Sequence, residues 1–71
     1  MSLVDINTIQ DIAHAYLLEL PVAQRVEVMR NILGVDVCTS WSMEQQDEHT
    51  KIYINWMRVD ESQEIFNFLH Q

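Results

Sequence analysis

Apolar residues recur at helical spacing through the first half of the chain. Ile9, Ile12, Ala13, Tyr16, Leu17 and Leu20 follow the i, i+3, i+4, i+7 rule. Gln10, Asp11, His14 and Glu19 fall on the other side. The pattern predicts a first helix from Asp5 to Leu20. Asp5 is its expected N-cap, with Val4 and Ile9 placed to form a hydrophobic staple.

The only proline and the only glycine bracket the next element. Pro21 suits the first position of a helix, where its missing N–H costs nothing, and it halts the preceding helix near Glu19 or Leu20. Val22, Val26, Met29 and Leu33 form the second stripe. Arg25, Val28 and Ile32 either widen it or point elsewhere. Gly34 can take the left-handed angle that ends a helix, letting Val35 fold back onto Met29 or Arg30. Arg30 in the last turn suits the helix dipole. With almost no linker, the two helices form a corner or hairpin.

Beyond Val35 two readings compete. Val35, Val37, Thr39 and Trp41 alternate as an extended segment does, and Thr50 to Val59 is rich in β-branched and aromatic residues. A hairpin over residues 37–59 would pair Thr39, Trp41 and Met43 with Ile52, Ile54 and Trp56. A helix capped by Asp47 would instead present His49, Ile52, Tyr53, Trp56 and Met57 on one face. The stretch from Glu44 to His49 lacks the glycine, proline or Asn-Gly step of a tight hairpin, which favours the helix. A last helix begins at Asp60 or Ser62, carries Glu61 and Glu64 in its first turn, and packs Ile65, Phe66, Phe68 and Leu69 inward. The fold expected is a single mostly helical domain, a bundle of four to five short helices. The alternative is α+β, with two helices, the hairpin and a C-terminal helix.

At 71 residues the chain supports a small core, so a partner or self-association could belong to the native state. No apolar run approaches the roughly 18 residues of a membrane span, and the N-terminus lacks the pattern of a signal peptide. The lone Cys38 cannot form an internal disulfide, which fits a reducing compartment. A cytoplasmic protein is expected. The net charge of −7 disfavours direct binding to nucleic acid or anionic membranes and leaves basic protein partners open.

Candidate chemistry is sparse. His14, His49 and His70 show no zinc spacing, no glycine-rich phosphate loop exists, and Cys38 has no motif around it. No catalytic residue, metal or cofactor is expected. The aromatics weigh more. Trp41, Tyr53, Trp56, Phe66 and Phe68 lie in the second half, and a core this small has room to leave a tryptophan on a binding surface. Charge is also segregated. Arg25 and Arg30 face Glu27 alone in the second helix, while 36–48 and 60–64 hold seven acids and no base. Opposite faces of this kind can meet head to tail. The expected protein-binding residues are therefore Arg25, Arg30, Asp47, Glu48, Asp60, Glu61, Glu64 and Trp41.

The run Leu20-Pro21-x-x-x-Arg25-Val26-x-x-Met29-x-x-x-Leu33-Gly34-Val35, followed by Ile52-x-x-x-Trp56 and Ile65-Phe66-x-x-Leu69, resembles the small death-fold domains, especially the bacterial death-like or effector-associated type. The resemblance implies a non-enzymatic adaptor that recruits a like domain, possibly by self-association. The other function the composition allows is a small acidic inhibitor or regulator, of phage or mobile-element type, acting on a nucleic-acid-binding protein.

Overall fold

In the computed structural model, which describes residues 5–71, four helices pack around one core: α1 (Ile6–Glu19), α2 (Val22–Leu33), α3 (Met43–Asn55) and α4 (Val59–Leu69). The mostly helical bundle is the architecture the hydrophobic pattern predicts. The hairpin over 37–59 does not form. Its second half is the body of α3.

Asp5 caps α1, its carboxylate accepting from the Thr8 amide at 2.8 Å. The expected staple partner Val4 lies outside the described residues. Pro21 sits one place earlier than expected, as the N-cap of α2, where its carbonyl accepts from the Arg25 amide at 2.9 Å. Gly34 ends α2 with φ 67° and ψ 22°, its amide bonding to Arg30 O, and Val35 N–H reaches Met29 O at 3.3 Å. Glycine adopts that left-handed angle without the cost a Cβ brings.

Helix α3 starts five residues before the cap expected at Asp47. Ser42 and Gln45 form a reciprocal capping box there, with bonds of 2.8 and 3.1 Å. Those bonds satisfy amides that would otherwise be orphaned at the helix start. They nucleate a helix through residues whose local preference is extended, and burial of Ile54 and Met57 against the core holds it. Helix α4 starts at Val59, ahead of both expected caps. Glu61 reaches back to the Arg58 amide at 3.1 Å.

The core joins Ala13 and Leu17 of α1, Met29 of α2, Ile54 and Met57 at the end of α3, and Ile65 of α4. Leu17, Met29, Ile54 and Ile65 are fully buried, each contributing about 1.5–3 kcal/mol. Helix α1 packs chiefly on α4, and α2 on α3. No helix among the described residues is long and apolar enough to cross a membrane.

Candidate protein-interaction surface

Helix α3 has two unlike flanks. Its inner N-terminal half is polar because it faces a buried cation. Arg25, only 3 % exposed, points inward from α2. Its Nε donates to Leu17 O at 3.0 Å, and its Nη2 to Leu18 O at 3.4 Å and Leu20 O at 3.2 Å. These are carbonyls at the C-terminal end of α1, where helical partners run out, although Leu17 O also accepts from the Leu20 amide at 3.3 Å. Its Nη1 donates to Asp47 Oδ1 at 2.6 Å and Thr50 Oγ1 at 3.0 Å. The guanidinium thus ties the end of α1 to α3. Thr50 and Gln46 are buried with it; Thr50 Oγ1 donates to Gln46 O at 2.7 Å, and Gln46 Nε2 to Trp41 O at 3.0 Å.

This corrects the expected docking face. Arg25 is internal, and it is bonded to Asp47, a residue expected on the opposite face. Asp47 is half-buried and also accepts from Lys51 at 3.0 Å. The Arg25 and Lys51 cations hold its carboxyl below the ordinary 3.8, hydrogen bonding from Arg25 being the largest cause. Glu61 is likewise structural, its side chain 13 % exposed. One carboxylate oxygen accepts from the Arg58 amide and the other from the Tyr53 hydroxyl, clasping α3 to the start of α4. Burial, then the bond to Glu61, pushes the Tyr53 hydroxyl up to about 12.

The remaining expected site residues are more accessible. Arg30 is exposed and donates to Val37 O at 3.1 Å. Glu48, Asp60 and Glu64 are exposed. Trp41 is half-buried and meets His49 edge to face, ring centroids 4.4 Å apart. Three of the four basic residues sit in ion pairs: Arg25 and Lys51 with Asp47, and Arg58 with Asp60 and Glu61. Among the exposed charged residues, Arg30, Lys51 and Arg58 are outnumbered by acids.

The outer flank of α3 differs from its expected role. Ile52 and Trp56 do not pack inward; they are 52 % and 83 % exposed. Spacing of four places them side by side on the helix. Glu48 continues the same stripe one turn earlier, and the 45 % exposed Val59 follows at the start of α4. The tryptophan expected on a binding surface is Trp41, which is half-buried; the exposed one is Trp56.

His14, expected in solvent, is half-buried, and among the described residues its Nε2 has no hydrogen-bond partner, nor has Oγ of Ser62. Cys38 is half-buried in the α2–α3 loop, where it shares a 2.8 Å hydrogen bond with the Ser40 hydroxyl. That bond holds the thiol below its ordinary 9.0. Among the described residues no three His, Cys, Asp or Glu side chains gather as a metal site would require. No protein-family model matches the chain, and no curated protein or solved structure shows significant similarity to it.

Proposed function

We propose that the chain is a non-enzymatic protein-interaction module that docks through the outer flank of α3, with Trp56 as its anchor. The exposure of Trp56, 83 % in so small a protein, carries this reading. A tryptophan held in water serves no core, and tryptophan is among the residues that most often dominate binding energy at interfaces. Ile52 and Val59 extend the apolar area, and Glu48, Asp60 and Glu64 supply acidic surroundings. The partner that suits this surface is a basic protein.

Adaptor-type recruitment is the role the death-fold resemblance implies, and the Trp56 flank supplies a surface for it. Head-to-tail association of like domains has less support, because burial of Arg25 leaves Arg30 as the basic contribution of α2. The net charge of −7 favours a second version of the same role, an acidic regulator covering the basic surface of a nucleic-acid-binding protein.

A photo-reactive residue placed at position 56, with one at the exposed Ala23 of α2 as control, tests this in native cells. The expected product is a covalent adduct with a basic protein from position 56 alone. Equal yields from both positions, or adducts only between copies of the chain, would contradict the reading.

A further inference from the structure

Between the α2–α3 loop and α3 lies a cavity of about 140 Å³. Met29 and Val37, both buried, form its floor, and Trp41 and Tyr53 its walls. The exposed Asp36 and His49 stand at its mouth. Its volume is close to that of an apolar protein cavity, about 150 Å³, known to hold a benzene ring. Asp36 has no ion-pair partner among the described residues. His49 precedes Ile52 by three residues and Trp56 by seven, so the mouth opens on the flank that carries Trp56.

The geometry points to an anchor pocket that takes one aromatic side chain of a partner, with a cation beside the ring. The ring meets Met29, Val37, Trp41 and Tyr53, and the cation meets the Asp36 carboxylate. Apolar walls without a cation-pairing group would accept any ring. Asp36 and the acidic surroundings select one that carries positive charge. The pocket's place in the protein's work rests on the docking reading above; its chemistry can be tested alone.

The probe is benzylammonium, a ring bearing a cation, titrated into the full chain while amide and indole N–H signals are followed by NMR. Benzoate and methylammonium are the comparators. Benzylammonium is expected to shift the signals of Val37, Tyr53 and His49 and the Trp41 indole, leaving the Trp56 indole in place. Benzoate is expected to bind at least about fivefold more weakly, and Asp36→Asn to weaken benzylammonium by a similar factor. Methylammonium is expected to leave Val37 and Trp41 unmoved. Silence at Val37 and Trp41, equal binding of benzoate, indifference to Asp36→Asn, or shifts centred on Trp56 would each overturn the pocket. If position 56 crosslinks a basic protein while the pocket ignores benzylammonium, docking stands and the pocket falls. The converse pair of results removes docking and keeps the pocket.

Discussion

The Arg25 guanidinium lies 2.6 Å from the Asp47 carboxylate, joining α2 to α3 inside the bundle. The same group covers three carbonyls at the end of α1. One side chain therefore fixes the mutual position of three helices. Lysine cannot reproduce this, because its donors radiate from a single atom whereas arginine spreads five over a rigid fork. Arg25→Ala is expected to destabilise the fold by about 2–3 kcal/mol, and Arg25→Lys by less, through loss of hydrogen bonds from a buried charged donor. That approaches the total stability a core of this size supplies. Urea denaturation checks this; midpoints close to wild type would show the guanidinium to be dispensable.

The same pair contributes to the pH dependence of stability in acid. The Asp47 carboxyl is held below its ordinary value of 3.8 in the fold, chiefly by Arg25, and Asp5 is held low by its bonds to Thr8. A depressed folded value stabilises the native state fully above the unfolded value and loses that contribution as pH falls through the folded one. Stability is therefore expected to decline below about pH 4, and Asp47→Asn to flatten part of the decline. Urea midpoints measured down the acid range, wild type against variant, check both the slope and its source.

An alkaline limit comes from Tyr53. Its folded value, about 12 against an ordinary 10.0, favours the protonated hydroxyl in the native state. The contribution is complete below the unfolded value and disappears as pH rises from about 10 through about 12. Tyr53→Phe is expected to be less stable than wild type at neutral pH, through loss of the Glu61 bond, and to show a shallower alkaline decline. Parallel alkaline denaturation curves for the two chains would remove Tyr53 as the cause.

Ser62 makes the opposite kind of statement. Its hydroxyl is completely buried on α4 and has no hydrogen-bond partner among the described residues. An unsatisfied buried hydroxyl costs about 1–3 kcal/mol, and alanine is the better helix former. Ser62→Ala is expected to raise the thermal midpoint or leave it unchanged. A fall of several degrees would mean that the hydroxyl is satisfied in solution.

Much of this architecture is legible in the residues, and the failures share a cause. Helices α1 and α2 announce themselves through apolar periodicity and through Pro21 and Gly34. Helix α3 hides because its inner face is built for a cation: Gln46 and Thr50 are buried where a core stripe should show Leu or Ile. Nothing local to α3 indicates that a guanidinium from α2 lies opposite. The same blindness put Arg25 on a docking face, since a charged residue within an apolar stripe reads as surface until its partners are known. The face expected of this helix, His49, Ile52, Tyr53, Trp56 and Met57, is divided: Met57 is buried with Ile54, which leaves His49, Ile52 and Trp56 in water. Glu61 read as a surface acid because its pairing with Tyr53 arises only when α3 and α4 meet.

The most direct measurement of the proposed role is the affinity of the Trp56→Ser chain for the protein that crosslinks at position 56. Trp56 is outside the core, so its loss is expected to change unfolding free energy by no more than about 0.5 kcal/mol. As an interface anchor, its loss is expected to weaken binding by about 2 kcal/mol, roughly thirtyfold. Undiminished affinity in a chain of unchanged stability would contradict the assignment of α3's outer flank as the docking surface.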